Sequence, residues 1–374
     1  MNSHTLHLLF NKRLDRIEEL YLNISIRTFA LSMIGIFTPI YLLILNYSLS
    51  SVLFFYALTN GIHALFAFPA AKISSKFGFK HSIIFSTPLI IVFYILLLTL
   101  KIYHWPLFLL ALFLGINKAL FWIGYHTNFS KVSDEKYRGE EVGFAKIFTS
   151  IFNVIGPLVG GLIITFFGFK VLFIVVSLLL FISIIPLFFF KDIHEPFDFS
   201  IKKIFTGQRI KNFFSFIGIG IENGVNVVIW PIFIFSSIVD NFTVLGSIKT
   251  ISLFFSLIFI LIIGKFSDIK RRLVLRIGAL FNAVIWGIKT LVRTSLQVFV
   301  IDSFYGITKA TMEVPFDALS YDKAAKSNIV ESIVFREIGI QTGRVILFLL
   351  MIFIGNLIIG FSLGALGSLL CLLF

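Results

Sequence analysis

The feature that most constrains this chain is a succession of apolar runs, each roughly 18–25 residues long. A helix of about 20 apolar residues crosses the hydrocarbon core of a bilayer. A first group of six runs lies at 25–46, 52–71, 82–100, 106–128, 146–166 and 171–190. A second group of six lies at 213–238, 244–264, 273–292, 296–318, 333–354 and 357–374. The pattern predicts an all-α polytopic membrane protein with twelve transmembrane helices.

Composition excludes a water-soluble fold for these 374 residues. Hydrophobic residues make up 58% of the chain and charged residues 14%, and the mean hydropathy is +0.98. No soluble domain buries that much apolar surface, so lipid is the expected solvent. The net charge of +13 is typical of basic cytoplasmic loops, so no nucleic-acid partner is predicted. The single Cys371 excludes an internal disulfide and a multi-cysteine metal site.

The loops between the runs predict domain limits and orientation. A polar stretch separates the two groups, giving an N-terminal six-helix bundle at 1–190, a cytoplasmic linker at 191–212 and a C-terminal bundle at 213–374. With the N-terminus inside, twenty Lys and Arg residues fall in inner segments and three in outer ones. Because cytoplasmic loops collect basic residues, both termini are predicted in the cytoplasm and the protein in the inner (plasma) membrane. We expect a monomer.

Two short repeats connect the halves. The sequence GINKA at 115–119 resembles GITKA at 306–310, an offset of 191 residues. The sequence KISS at 72–75 resembles KFSD at 265–268, an offset of 193. Both pairs lie six predicted spans apart, which indicates a duplicated six-helix unit. The copies run in the same sense, so an axis along the membrane normal is expected to relate them.

The loop after the eighth run reads GKFSDIKRR at 264–272 and contains Asp268, Lys270, Arg271 and Arg272. A glycine lets two helices approach, an acid at a helix end pairs with cations on its neighbour, and the basic residues anchor at the inner leaflet. The loop after the second run, at 71–80, keeps Gly78 and Lys80 but has Ser75 in the acidic position.

Both loops resemble the basic loop of the major facilitator superfamily, of the form G-x-L-[SA]-D-[RK]-x-G-[RK]-[RK]. The resemblance covers the whole chain through span number, central linker, orientation and repeat. It implies two pseudo-symmetric six-helix bundles, a central cavity lined by spans 1, 4, 7 and 10, and secondary transport of a small molecule without a cofactor. The acid that latches the first half is in doubt, because Ser75 replaces it.

The fifth span resembles that of drug–proton antiporters of this superfamily, which carry G-x8-G-x3-G-P-x2-G-G. The residues in register are Gly143, Gly156, Pro157, Gly160 and Gly161, with Phe152 in place of the second glycine. Glycines let helices pack closely and Pro157 bends the helix, which suits a helix that rocks or seals. The resemblance implies export, and a tight packing seam without bearing on direction is the alternative.

Charges deep in lipid are costly and usually face a watery cavity. The deep charges are Lys118 in span 4, Glu222 in span 7, Asp302, Lys309 and Glu313 in span 10, and Arg344 in span 11. Five of these six lie on the helices that the resemblance assigns to the cavity. Arg344 is the exception, and we predict that it supports the site from behind.

Span 10 carries Asp302, Lys309, Glu313 and Asp317 on one helical stripe, with Pro315 among them. Lys309 and Glu313 are spaced to pair at i,i+4. The stripe predicts either a proton and substrate site or a structural ion pair. A carboxylate in a low dielectric has a raised proton affinity, which suits proton coupling.

Span 7 offers Glu222 beside Asn223 and Asn226 as the other proton or substrate site. Lys118 and Lys309 occupy matching places in the repeats. Two cations facing one cavity favour an anionic substrate group, unless a nearby acid neutralises each of them.

Four further residues have simpler expected roles. His63 is predicted to be a hydrogen-bonded packing residue, with a proton relay as the alternative. Arg27 is predicted to reach the lipid headgroups. Arg336 and Glu337 are predicted to pair at the inner end of span 11.

Three functions compete on these grounds. The first is proton-coupled export of an amphipathic compound, with uptake of an organic anion as its rival. The second is a transporter-like sensor or assembly protein without flux. The third, a membrane enzyme, needs paired acids in a large interfacial loop, and the linker holds only Asp192, Glu195 and Asp198. No phosphate-binding loop, dinucleotide motif or nucleophile elbow occurs, so no enzyme is predicted.

Overall fold

The computed structural model describes residues 12–132, 138–189, 207–326 and 328–374, together with Asp192 and His194. At 12–19, 130–132, 138–148, 207–208, 260–269 and 325 the description covers the backbone alone. All regular secondary structure in these ranges is helical.

The helices follow the predicted runs closely. The first half of the chain holds α1 (Lys12–Ile34), α2 (Thr38–Ile44), α3 (Leu49–Phe77), α4 (Phe79–Tyr103), α5 (Leu107–Val132) and α6 (Arg138–Ser183). The second half holds α7 (Gly207–Gly224), α8 (Trp230–Ser237), α9 (Phe242–Lys289), α10 (Ser295–Ala325), α11 (Ile329–Ile354) and α12 (Leu357–Leu370).

Two helices are much longer than one bilayer crossing. α6 has 46 residues and α9 has 48, whereas about 20 are enough to span the hydrocarbon core. Each is broken at one non-helical residue, Gly168 (φ 78°, ψ 172°) in α6 and Lys270 (φ −142°, ψ 58°) in α9. Gly168 adopts a positive φ without strain because it has no Cβ. Each helix therefore supplies two arms, where the sequence predicts spans five and six, and eight and nine.

Eight segments of the described chain are long and apolar enough to cross a membrane. Thr149–Phe188, which contains both arms of α6, counts there as one segment. The charges of α10 lower its hydropathy, and α12 has only 14 residues. The number twelve therefore stays a prediction.

Side-chain caps fix several helix starts. Thr294 accepts a hydrogen bond from the Gln297 backbone N–H at 3.3 Å, and the Gln297 side chain accepts from the Thr294 backbone N–H at 3.2 Å. This capping box begins α10. The side chains of Asn241 and Asn328 accept from backbone N–H groups in the first turns of α9 and α11. These polar residues define the ends of helices that are otherwise apolar.

The two halves of the chain meet mainly along two pairs of helices. Within the first half, α1 packs on α6, and α5 packs on α3 and α4. Within the second half, α9 packs on α10, and α7 packs on α11 and α12. Between the halves, α6 packs on α9 and α3 packs on α11. These two contacts enclose the space between the halves.

A π-helical turn, Val225–Ile229, joins α7 to α8. Pro231 follows at the start of α8. A proline has no N–H and crowds the carbonyl four residues earlier, here that of Val227, so a widened turn relieves the crowding. Asn223 and Asn226 lie beside and within this turn, so the irregular backbone adjoins candidate site residues.

Candidate functional site: buried charges around two cavities

A cavity of about 310 Å³ lies between the halves, and we call it the central cavity. Its walls come from α1, α5, α6, α7, α10 and α11. They comprise Ile24, Thr28, Trp122, Tyr125, His126, Phe129, Thr149, Ile219, Asn223, Glu313, Phe316, Asp317, Tyr321, Arg336, Glu337, Ile340, Gln341 and Arg344. Of the predicted site residues, Asn223, Glu313 and Arg344 reach this wall, and so does Asp317 of the predicted stripe. Arg344 was expected behind the site, and it lies on the surface of the cavity.

Glu222 lies behind the cavity wall and is fully buried. Its Oε1 accepts hydrogen bonds from the Tyr305 hydroxyl at 2.5 Å, from Asn282 Nδ2 at 3.2 Å and from Trp286 Nε1 at 3.2 Å. Its Oε2 lies 3.2 Å from Lys309 Nζ. Four donors compensate the loss of water around this carboxylate.

Lys309 connects Glu222 to the cavity. Its Nζ lies 3.2 Å from Glu222 Oε2 and 3.4 Å from Glu313 Oε1, and it donates to Asn223 Oδ1 at 2.9 Å. The i,i+4 pair with Glu313 has the predicted spacing. The Glu313 side chain is 32% exposed and lies on the cavity wall. The order from cavity to interior is therefore Glu313, Lys309, Glu222, with one cation shared by two acids.

Asp302 forms a separate ion pair and does not line the central cavity. Its Oδ1 lies 2.8 Å from Lys289 Nζ, and Trp230 Nε1 donates to its two oxygens at 2.9 and 3.0 Å. Lys289 also lies against the rings of Trp230, Trp286 and Tyr305. The prediction that Asp302 shares the cavity stripe is corrected: Asp302 turns toward α9, where Lys289 compensates its charge.

Asn226 does not line the central cavity either. Its Oδ1 accepts from Lys249 Nζ at 3.0 Å, across from α9. Lys249 and Lys289 were not among the predicted site residues. Both lie within long apolar segments, and a charge inside such a segment was the signal that could have identified them.

A second cavity of about 270 Å³, the side cavity, is lined by residues of the first half of the chain and by Val227 of the second. It shares Ile24, Thr28 and Trp122 with the central cavity. Its remaining walls are Arg27, Leu31, Gly35, Thr38, Tyr56, Ile90, Phe93, Tyr94, Leu114, Asn117, Lys118, Phe121 and Val227. The lining is mainly aromatic and aliphatic, with Arg27 and Lys118 as its cations.

Arg27 points inward and does not reach the lipid headgroups as predicted. It is 2% exposed, and its guanidinium carbon lies 3.9 Å from the centroid of the Phe121 ring. Its Nη2 donates to Asn117 Oδ1 at 3.3 Å. The ring face and the amide oxygen attract the cation into the bundle. The position of Arg27 near the helix end therefore did not determine its direction.

Lys118 and Lys309 have different surroundings despite their matching places in the repeat. Lys118 Nζ donates to Asn60 Oδ1 at 3.1 Å and forms no ion pair with the acids that the structure describes. Lys309 lies between Glu222 and Glu313. Of the alternatives left by the sequence, neutralisation by a nearby acid applies to Lys309 and an unneutralised cation applies to Lys118.

A polar cluster joins α5 of the first half to α10 and α11 of the second. His126 Nδ1 lies 2.6 Å from the Tyr321 hydroxyl, and Arg336 Nη1 lies 2.9 Å from His126 Nε2. Arg336 Nη2 lies 2.9 Å from Asp317 Oδ1, and Nη1 lies 3.4 Å from Glu337 Oε1, the predicted pair. The sequence did not identify His126 or Tyr321, because they lie 195 residues apart.

His63 of α3 extends this cluster. It is fully buried, and its Nε2 lies 3.5 Å from Glu337 Oε2. That distance is long for a hydrogen bond. His63 therefore packs against the acid, and the predicted hydrogen bond is not formed with any residue that the structure describes.

The first basic loop has an acid that the sequence motif lacks. Gly78 ends α3 with φ 101°, and the backbone N–H groups of Lys80 and His81 donate to Asp192 at 2.9 Å each. A Cβ on Gly78 would collide with the Asp192 carboxylate. Asp192 thus holds the start of α4, next to the position where Ser75 replaces the expected acid.

In the second basic loop, Arg271 pairs with Asp322 of α10. Lys270 is the non-helical residue of α9, and Lys270 and Arg272 are exposed. The side chain of Asp268 lies outside the described residues. The loop therefore ties α9 to α10 through Arg271.

The glycines of α6 are positions of close packing. A Cβ on Gly156 or Gly160 would collide with Ser32 or Met33 of α1, and one on Gly161 with the Phe242 backbone of α9. Gly246 of α9 in turn lies against the Pro157 carbonyl. These small residues let α6 approach α1 and α9 together.

Comparison with known sequences gives a partial match to one family. The sequence profile of the Major Facilitator Superfamily matches residues 20–205. An uncharacterized protein of Bacillus subtilis (strain 168), YqgE, is 24% identical over 260 residues, which is 64% of this chain. The alignment covers 59% of the length of YqgE.

Comparison with solved structures gives matches over nearly the whole chain. A crystal structure of the E. coli fucose:proton symporter FucP has a TM-score of 0.65 at 13% identity, covering 97% of this chain and 98% of that one. FucP in the outward conformation, described as a Major Facilitator Superfamily transporter, has a TM-score of 0.67 at 14% identity, covering 95% and 96%. The chain is therefore an integral membrane protein with the major facilitator fold, and its N-terminal half carries the sequence signature of the Major Facilitator Superfamily.

Proposed function

We propose that this protein is a secondary transporter that moves a small solute across the membrane by alternating access, and that it is not an enzyme. The observation that carries the proposal is the series Glu313, Lys309, Glu222, which leads from the central cavity into the second half of the chain. Charged residues in a membrane interior are costly to bury and therefore rare. A series of them beside a cavity is typical of a functional site.

We infer that protons couple to transport through these acids. When Glu313 takes a proton from the cavity, it loses its charge and its attraction for Lys309. Lys309 then lies closer to Glu222, which remains ionised with the support of Tyr305. A change in one proton thus moves a cation at the cavity wall, which biases the equilibrium between two conformations.

We propose the predicted architecture for this transporter. It has twelve spans in two bundles, 1–190 and 213–374, joined by the linker 191–212. The protein is a monomer in the plasma membrane, and both of its termini lie in the cytoplasm. The contacts α6 with α9 and α3 with α11 support two rigid units that rock against each other. The loops at Gly78 and Arg271 then act as gating elements.

Export of an amphipathic compound is the direction that we propose. The glycine pattern of α6, at Gly156, Pro157, Gly160 and Gly161, supports it, since these residues pack α6 against both α1 and α9. Uptake is the opposite outcome of the same experiment. FucP is a fucose:proton symporter. The similarity of its fold to that of this chain supports proton coupling and does not support a direction of transport.

The experiment uses the purified chain in liposomes with a trapped pH dye and an imposed proton gradient. A panel of amphipathic compounds is added, and a coupled substrate dissipates the gradient faster than leakage does. Glu222→Gln and Glu313→Gln are expected to abolish this coupled proton movement. Asp240→Asn, which changes an exposed acid, is the matched control and retains it.

Two results would contradict the proposal. Substrate flux that ignores the gradient and survives in both glutamine variants removes proton coupling through these acids. Ligand binding without flux in the unmodified protein identifies a sensor with a transporter-like fold. Thermal melting in detergent checks that each variant is folded, so that a lost signal is attributed to coupling.

A further inference from the structure

Arg27 is a buried cation that has no ion pair with the acids that the structure describes. Its Nε and Nη1 have no hydrogen-bond partner among the residues that the structure describes, and Nη2 has one neutral partner, Asn117, at 3.3 Å. A guanidinium carries five N–H donors in a planar fork. The unpaired donors belong to a side chain that is 2% exposed and lies on the wall of the side cavity.

A second cation lies on the same wall. Lys118 Nζ has the neutral partner Asn60 at 3.1 Å. Arg344 lies on the wall of the adjoining central cavity, where its Nη1 donates to Gln341 Oε1 at 3.0 Å. Three cations with neutral partners therefore surround the region where the two cavities meet, at Thr28 and Trp122.

The second half of the chain contrasts with this arrangement. Two of its lysines have acids: Lys309 lies against Glu222 and Glu313, and Lys289 against Asp302. Lys249 has a neutral partner, Asn226. A buried charge without a counter-charge is strongly unfavourable, whereas a paired one is tolerated. Among the residues that the structure describes, Arg27 and Lys118 thus lack the acids that Lys289 and Lys309 have.

We propose that the side cavity binds the anionic group of an amphipathic organic acid, whose carboxylate lies between Arg27 and Lys118. The proposal rests on the transport function proposed above, and it names the substrate class. The planar guanidinium matches the geometry of a carboxylate.

The uncharged part of the side-cavity wall indicates the chemistry of the ligand beyond its carboxylate. Tyr56, Phe93, Tyr94 and Trp122 give the cavity an aromatic lining. Its volume of about 270 Å³ is near the lower limit of about 300 Å³ for small-molecule sites. A small apolar or aromatic body with one acidic group fits this combination better than a free inorganic anion does.

The experiment measures binding to the full-length protein in detergent, without a gradient. The probes are benzoate, its neutral match benzamide, and inorganic phosphate. The readouts are Trp fluorescence, because Trp122 lies in the walls of both cavities, and the melting temperature. Benzoate is expected to bind at least tenfold more tightly than benzamide and phosphate, and to raise the melting temperature.

Variants separate a binding role from a structural one. Arg27→Gln and Lys118→Gln are each expected to weaken benzoate binding about tenfold, as the loss of one charged contact does. Arg27→Gln is expected to leave the melting temperature of the unliganded protein unchanged or higher, since it removes an uncompensated charge. A structural Arg27 would give a lower value. Lys101→Gln, an exposed lysine on α4, is the matched control.

The outcomes distinguish this inference from the proposed function. Equal binding of benzoate and benzamide, or unchanged benzoate binding in Arg27→Gln, overturns the anion site. Phosphate that binds as tightly as benzoate overturns the organic substrate class. Benzoate binding that persists in Glu222→Gln, in a protein without any flux, supports the anion site while the transport function fails.

Discussion

Among single residues, Glu222 shows how a carboxylate is kept in an apolar bundle. Its two oxygens receive donors from Tyr305, Asn282, Trp286 and Lys309. Each donor matches a carboxylate, which has acceptors only. A glutamine here would direct its own N–H groups toward some of these donors, so the site is specific for an acid.

Removing one donor tests this description. Tyr305→Phe deletes the hydroxyl that donates to Glu222 at 2.5 Å. A hydrogen bond to a charged group contributes about 1.5–3 kcal/mol, so we expect a clearly lower melting temperature in detergent. Tyr103→Phe, on an exposed tyrosine, is the control and leaves it unchanged. Equal melting of both variants would show that the Tyr305 hydroxyl is not needed by Glu222.

The pair of Asp302 and Lys289 gives a second prediction. Lys289→Met leaves Asp302 buried without its cation, which costs about 3–5 kcal/mol. Combining it with Asp302→Asn removes the remaining charge and is expected to restore most of the stability. Thermal melting of the two single variants and the double variant forms a cycle. Additive losses in the double variant would contradict the pairing.

The sequence predicted some members of the site and missed others for a physical reason. Glu222, Lys309 and Glu313 are recognisable because a charge inside a long apolar run is rare and costly. Lys289 meets the same criterion within the run 273–292, whereas Asn282 carries no charge. The contacts that give both residues a role join α9 to residues of α7 and α10. Only the packing of those helices identifies their partners.

At the scale of helices, the turn between α3 and α4 depends on Gly78. We expect Gly78→Ala to lower the melting temperature, because φ 101° and ψ 151° lie in a region that other residues occupy only at a cost of about 1–3 kcal/mol. The added methyl group would also collide with Asp192. Gly287→Ala is the matched control. Gly287 is helical and has open space around it, so alanine there is neutral or stabilising. A neutral Gly78→Ala would remove Asp192 from its proposed place at the start of α4.

Helix positions were predictable because hydropathy and length determine them in a membrane. The breaks at Gly168 and Lys270 fall between predicted spans, although the helical backbone continues on either side. The acid Asp192 was visible in the linker, but its contact with Lys80 and His81 joins residues more than 100 positions apart. The π-helical turn has no periodic signal, since it inserts one residue into an apolar stretch.

At the scale of the whole molecule, alternating access requires that at least one contact between the halves opens. Gly61 of α3 lies against Val345 of α11, with 3.9 Å between a Cβ built on Gly61 and Val345 Cγ2. Replacing both by cysteine, with Cys371→Ser in the same chain, places two thiols on facing surfaces of α3 and α11, where we expect a disulfide to form. Oxidation is expected to stop transport in liposomes, and reduction to restore it.

The single-cysteine variants are the controls for this cross-link. Neither is expected to lose transport on oxidation, because each lacks a partner thiol. Undiminished transport in the fully cross-linked protein would show that α3 and α11 stay together throughout the cycle. The motion would then have to take place at the contact between α6 and α9.

The widened turn at Val225–Ile229 has a mechanical consequence. A π turn holds one surplus residue, and that surplus can migrate along a helix if a few backbone hydrogen bonds exchange partners in succession. Once the turn has passed Asn223, that residue would be rotated by about 100° relative to Trp230, as one residue of helix corresponds to that angle. The seventh span can thus reorient one polar side chain at the cavity wall while the two ends of the span keep their orientation.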